Sequence, residues 1–336
     1  MRGTLFGTAP LLALALVLST APRVQAGITI QFDYTYDTGG FFTSNPQAAT
    51  LLNDAAQFLS SHLTDSLTAI NPSAQSVTDH ITDTWTTFDT FNPSDPNNAA
   101  ANITITDLNV PANTLIIYVG GATSLPGNEL GFAGPGGWQG SGSQAWIDIL
   151  HGRGQAGALA GTPTDFGPWG GAIAFSSTAT WYFDSDPSTN DVPGGKNDFY
   201  SVALHELGHV LGIGTAQSWD ALISGGNFTG AHAEALNGGS PVALSPDLGH
   251  WAEGTTSTVF LGNTTQEVAM DPTLTVGTRK YFTTLDEAGL QDVGWAVVPE
   301  PAAWPWLATG VAVSVRAWRR KRPDLERDER ALARSV

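Results

Sequence analysis

Asp198-Phe-Tyr-Ser-Val-Ala-Leu-His-Glu-Leu-Gly-His-Val-Leu-Gly212 is the stretch on which fold and chemistry turn. Asp198 is of the type that caps a helix start, because its carboxylate accepts from the first unpaired amides. Gly212 supplies the left-handed residue that ends a helix. Between them His205 and His209 are four residues apart, so one helical face presents both imidazoles to a single ion. Zinc accepts such nitrogens at about 2.0–2.1 Å and, in catalytic sites, combines three protein ligands with one open position. Glu206 adjoins the first histidine and is placed to take a proton from water instead of binding metal. The stretch therefore predicts a metal-dependent hydrolase built around a central helix.

Two helix imidazoles leave such a site one ligand short. The chain contains no Cys, which excludes a thiolate metal site and a disulfide framework and leaves only His or carboxylate donors. Asp220, His232, Glu234 and His250 are the candidates in the following forty-odd residues. Asp220 is close enough to Gly212 to return after one turn. A long excursion to His250 costs little, since loop-closure entropy grows by only about 0.6 kcal/mol per doubling of length.

From His205 onward the chain resembles the metzincin metallopeptidases, whose motif HExxHxxGxxH is followed by a Met-containing turn. Gly212 matches the family's glycine, but Thr215 occupies the usual place of the third histidine. The leishmanolysin and gametolysin-like branch brings that histidine in after an insertion. Pro246-Asp-Leu-Gly-His-Trp251 resembles its phrase, nominates His250 and makes Ile213–Gly249 the insertion. Gln266-Glu-Val-Ala-Met-Asp-Pro272 resembles the Met-turn, with Met270 beneath the metal without binding it, and Leu285–Trp295 resembles the helix that closes such domains. Upstream, Gly170–Phe175 resembles the exposed edge strand along the cleft. The resemblance thus assigns substrate pairing to Gly171, Ala172, Ile173, Ala174 and Phe175. Two features depart from the family: no cysteine-switch propeptide is possible, and Asp271 and Pro272 stand where some members carry a Tyr.

The resemblance implies an α+β, metzincin-like zincin with a twisted mixed sheet, a central zinc-binding helix and a smaller C-terminal subdomain. It implies one catalytic Zn2+, a protein or peptide substrate, and endopeptidase activity in which Glu206 activates water. The rival from another class is a non-catalytic cell-surface or matrix binding protein on the same fold; the intact Glu206 argues against it.

Upstream of the helix, Ile28, Ile30, Phe32, Tyr34 and Tyr36 alternate with polar residues, which predicts a half-buried strand. Leu51, Ala55, Phe58, Leu59, Leu63 and Leu67 recur at helical spacing after Pro46, which predicts one helix over Pro46–Leu67. Ile103–Leu108, Thr114–Val119, Ala172–Phe175 and Trp181–Phe183 read as strands, and the Gly-rich 120–171 region as long loops.

The two ends read as addresses. Arg2, the apolar run Leu11–Leu18 and Val24-Gln-Ala26 predict a secretory signal peptide over 1–26. Val298-Pro-Glu-Pro301, an apolar stretch and Arg316-Ala-Trp-Arg-Arg-Lys-Arg322 resemble a PEP-CTERM sorting tail over 299–336. That tail implies bacterial exosortase-type machinery, transient inner-membrane contact through the tail, and delivery to the cell surface or extracellular matrix. The catalytic domain is left at 27–298. It holds 26 acids and four bases (Arg153, Lys196, Arg279, Lys280), a net charge of −22, which rules out nucleic acid as a partner because phosphates would be repelled. Asp184, Asp186, Asp191 and Asp198 border a Gly-Pro-rich loop and are candidate oxygen ligands for Ca2+, against the alternative of a solvated acidic loop.

Overall fold

The computed structural model describes residues 27–298. The signal peptide and the sorting tail lie outside the described residues. In chain order, β1 (Thr29–Asp33) leads through the single turn α1 (Phe41–Ser44) to α2 (Pro46–Ser60) and α3 (Pro72–Asp79). There follow β2 (Thr84–Phe88), β3 (Thr114–Ala122), β4 (Gly131–Pro135), β5 (Gly137–Ser141), α4 (Gln144–Gly152) and β6 (Gly170–Ser176). Short β7 (Trp181–Tyr182) and β8 (Asn197–Asp198) then precede the central helix α5 (Phe199–Val210).

The architecture is mixed α+β. Its main sheet has the order β1-β3-β6-β4, with β1, β3 and β6 parallel and β4 antiparallel to β6. β3 is buried along its whole length, as a central strand covered on both faces must be. Alternation sorts its side chains: Leu115, Ile117 and Val119 face the helices α2 and α5, while Ile116 and Tyr118 face a second cluster around Trp85, Trp146 and Trp169. On the helical side α2 buries Leu51, Leu52, Ala55 and Leu59, each leucine contributing about 1.5–3 kcal/mol of transfer free energy. On the other side β2 pairs antiparallel with β5, and α4 packs beneath them. Arg153, at the C-cap of α4, is buried here; its guanidinium donates to the carbonyls of Thr68, Pro111, Thr114 and Pro168. A buried cation with four of its five N–H donors matched to carbonyls holds three loops in register. Burial pulls its pKa down to about 10, still well above neutrality.

After α5 the chain builds a smaller C-terminal part. It contains α6 (Gln217–Asp220), a three-stranded sheet of β9 (Ile223–Ser224), β10 (Asn227–Phe228) and β11 (Val242–Ala243), and α7 (Ala231–Leu236) within that excursion. The hairpin of β12 (Thr256–Thr258) and β13 (Thr265–Glu267) and the closing helix α8 (Thr284–Val293) complete it. Trp219 stacks on Phe228, and Trp251 packs against both at steeper angles, so the inserted segment is tied into the main core.

Several local expectations change. The helix from Pro46 stops at Ser60; Leu63 bridges to Val297, and Asn71 caps a new helix by accepting from the amide of Ala74. Ile103–Leu108 makes only isolated bridges, to Thr90 and Thr86. The 120–171 stretch is not loop alone, since it contains β4, β5 and α4. No described helix is long and apolar enough to cross a membrane.

Candidate metal centre

Helix α5 starts where its cap residue predicts: Asp198 Oδ2 accepts from the amide (3.0 Å) and hydroxyl (2.6 Å) of Ser201. It ends at Val210, and Gly212 turns the chain off with φ +106°, where a Cβ would crowd Phe166 and Ala216. The turn returns the amides of Ile213 and Gly212 to the carbonyls of Gly208 and His209, which satisfies the helix end.

His205, His209 and His250 meet above this helix. Their Nε2 atoms are 3.1 Å (His205–His209), 3.1 Å (His209–His250) and 3.2 Å (His205–His250) apart. The opposite nitrogen of each ring explains the convergence. His205 Nδ1 donates to the Ala269 carbonyl at 2.8 Å, His209 Nδ1 to the Ile213 carbonyl at 2.9 Å, and His250 Nδ1 to Asp247 Oδ2 at 3.0 Å. A carbonyl can only accept, so the ring protons sit on Nδ1 and the Nε2 lone pairs face one another. Three converging lone pairs repel unless a cation lies between them. Nitrogens each about 2.0–2.1 Å from one ion at near-tetrahedral angles lie roughly 3.1–3.4 Å apart, which is the spacing found. Burial pulls His209 down to about 4 and His205 well below the usual imidazole range, so both are neutral and ready to ligate at pH 7. The group can therefore hold a metal ion.

Outer contacts lock this geometry. Asp247 is aimed at His250 by the amide of Gly249 and the hydroxyl of Ser245. Met270 is fully buried beneath α5, where Gly208 makes room for its sulfur; a Cβ there would overlap Sδ. Asp286 of α8 is also fully buried and receives the Trp251 indole, the amides of Ala269 and Met270, and the Thr283 hydroxyl and amide. One carboxylate thus fixes the residue whose carbonyl accepts from His205, the Met270 turn and the residue after His250. Asp286 belongs to no metal-ligand pattern in the sequence, but Thr283-Thr-Leu-Asp286 has the spacing of a capping box, which the structure contains. Asp247, three residues before His250, was also legible as a carboxylate within reach of that ring.

Glu206 is 4 % exposed and lies at the cleft beside the triad. No described residue hydrogen-bonds its carboxylate. Burial pushes its pKa well above the usual carboxylate range, and the charge of Glu129 adds to the shift. Room for the carboxylate comes from Gly131, where any Cβ would overlap it.

The edge strand needs correction. Gly171, Ala172, Ile173, Ala174 and Phe175 form an interior strand, β6, hydrogen-bonded to β3 on one side and β4 on the other. The cleft edge is β4, Gly131–Pro135. The Leu130 carbonyl accepts from Ser176 and the Gly136 amide donates to Gly170, so Phe132 and Gly134 face β6, while Gly131 and Ala133 turn their backbone groups to the open side. Gly-Phe-Ala-Gly-Pro shows no strand pattern because two glycines remove the alternation, and Pro135 is tolerated only because this is an edge.

The calcium suggestion is also corrected. Arg279 occupies the place of a cation, pairing with Asp184 at 2.8 Å and Asp198 at 2.6 Å. Asp191 accepts from the Tyr182 hydroxyl and Asp186 from Ser188, so the four carboxylates do not converge. Asp220, His232 and Glu234 take no part in the histidine group. Thr215 donates its hydroxyl to the His209 carbonyl, behind the ligands.

The cleft encloses about 560 Å3 between β4, α5, the Gly214–Thr215 and Asp247–His250 segments, and the stretch after Met270. No protein-family model, curated protein or solved structure matches the chain.

Proposed function

We propose that the protein is an exported zinc-dependent endopeptidase of metzincin type, with His205, His209 and His250 as ligands and Glu206 as general base. The observation that carries this reading is the coincidence of three convergent Nε2 atoms with a buried, unpartnered carboxylate in one open cleft. The donor set fits zinc, which favours neutral imidazoles held by outer hydrogen bonds. Bound there, zinc supplies the Lewis acidity that lowers the pKa of water and polarises a peptide carbonyl.

The protein's own groups do the rest. Gly131 and Ala133 offer backbone donors and acceptors to an extended chain, which would add as a strand to the free edge of β4. Glu206 takes the proton of the attacking water, its carboxylate lying at the cleft beside the histidines with no described residue competing for its oxygens. The same carboxyl then passes that proton to the departing amide nitrogen. Met270 and Asp286 hold the ligand cage without touching the reaction.

The test compares wild type with Glu206→Gln on casein, with zinc content measured in parallel. The variant is expected to keep one equivalent of zinc and lose activity by at least ~10²–10⁴-fold, as for a lost general base. A fully active variant would remove Glu206 from the mechanism. A wild-type protein that holds zinc but leaves casein intact would favour the binding-module alternative.

A further inference from the structure

The described domain keeps almost no positive charge on its surface. Of its four bases, Arg153, Arg279 and Lys280 are buried, and Lys196 alone is partly exposed. Each buried cation is matched inside the protein: Arg153 by four carbonyls, Arg279 by Asp184 and Asp198. The 26 acids include Glu129 and Asp247, both exposed at the cleft.

The one cation lining the cleft has nothing to offer a ligand. Lys280 Nζ lies 2.6 and 2.7 Å from the two oxygens of Asp271, 2.7 Å from the Thr273 carbonyl and 3.0 Å from Glu267. An ammonium has three protons, and all are taken. Glu253, held by the Thr273 hydroxyl at 2.7 Å, joins Glu267 and Asp271 in one group of carboxylates. Three acids around one base leave a net −2, of which Asp271 and Lys280 line the cleft and cancel while Glu253 and Glu267 stand behind that wall. Glu129 and Asp247 add −2 in the lining itself, so the group stays net negative even beside a bound Zn2+. Glu206, buried and without a hydrogen-bond partner, faces the same space.

We propose that this cleft selects cationic polypeptide segments, those rich in Lys and Arg around the bond to be cut, and rejects acidic ones. The inference rests on the endopeptidase reading and names its substrate class. Acidic side chains meet no free ammonium or guanidinium group and, away from the metal itself, a field of like sign, whereas a cleft lined mainly by one sign of charge concentrates ligands of the opposite sign and raises on-rates by about 10–10³-fold. Such a peptidase would meet only the partly exposed Lys196 on its own described fold.

Three peptides with one common central sequence, flanked on both sides by Lys, Gln or Glu, test the proposal with the full-length zinc-loaded chain. The expected order of kcat/KM is Lys over Gln over Glu, with at least ~10-fold between the extremes at about 20 mM salt. The span should shrink to about threefold or less at about 0.5 M salt, where exposed charges are screened. Fluorescence anisotropy on full-length Glu206→Gln reads the same order as binding, independent of turnover. Binding in that order without cleavage of any peptide or of casein would support the charge selection and defeat the endopeptidase reading. Cleavage with equal or reversed preference would overturn the charge selection alone, as would a preference insensitive to salt. The double variant Glu129→Gln/Glu253→Gln removes one charge from the cleft lining and one bonded to the Thr273 hydroxyl behind it, and should reduce the Lys-to-Glu ratio severalfold; an unchanged ratio would place its origin in other charges and overturn the proposal.

Discussion

Two groups of three candidate ligands lie close together in this molecule, and they differ in what fills their centres. His205, His209 and His250 point lone pairs at one another with no donor between them. Glu253, Glu267 and Asp271 gather at comparable distances, but the Lys280 ammonium bonds two of them directly. The loop acids Asp184 and Asp198 repeat the second pattern around Arg279. Ligand count and spacing therefore do not make a metal site. What does is an inward set of acceptors whose outer sides are tied down and whose centre no protein cation occupies.

The largest difference between the two groups should appear in metal binding. His250→Ala is expected to abolish stoichiometric zinc retention, weakening affinity by more than the ~10–100-fold typical of losing an outer partner. Glu267→Gln should leave one equivalent bound. Equilibrium dialysis with metal analysis reads both, and equal loss would erase the distinction.

Removing the cation from the acidic group should act on stability instead. Lys280→Met leaves the buried Asp271 without its partner, which costs about 3–5 kcal/mol by the precedent of broken buried pairs. Urea unfolding measures it. A neutral result would mean that the carboxylates do not need the ammonium.

Acid separates the groups in a third way. Free imidazole titrates near 6.5, and burial holds His209 at about 4 in the fold. The unfolded chain then takes up a proton that the fold refuses. The metal-free protein keeps its stability above pH 6.5 and loses up to about 3 kcal/mol from this residue as pH falls through 4. Zinc binds the neutral ring, so added zinc should raise the melting temperature more at pH 7.5 than at pH 4.5. Melting curves at these pH values, with and without zinc, check the sign.

The smallest expected effect concerns the support. Asp286→Asn keeps the shape but weakens the acceptor shared by Ala269, Met270 and Trp251. Zinc affinity should fall by ~10–100-fold while Glu206 chemistry stays in place. Competition with a chelator of known affinity gives the number.

How much of this was legible in the sequence follows from range. The α5 segment carries its own cap, its two histidines, the carboxylate beside them and its terminator within fifteen residues, so local rules suffice. His250 and Met270 were nominated by phrase resemblance, and the structure brings both to α5. The cleft edge was missed because glycine-rich β4 has no pattern to detect; its identity depends on Gly131 admitting the Glu206 carboxylate, a contact across 75 positions. The calcium suggestion failed for a related reason, since Arg279 is 81 residues from Asp198. Spacing in sequence shows which acids are neighbours and does not show which cation folds between them.

The most direct test of the central claim is an anomalous difference map at the zinc edge, from crystals of the protein grown with equimolar zinc. One peak about 2.0–2.1 Å from Nε2 of His205, His209 and His250, beside the Glu206 carboxylate, is the predicted result. A peak among Glu253, Glu267 and Asp271, or none at the histidines, would contradict the account.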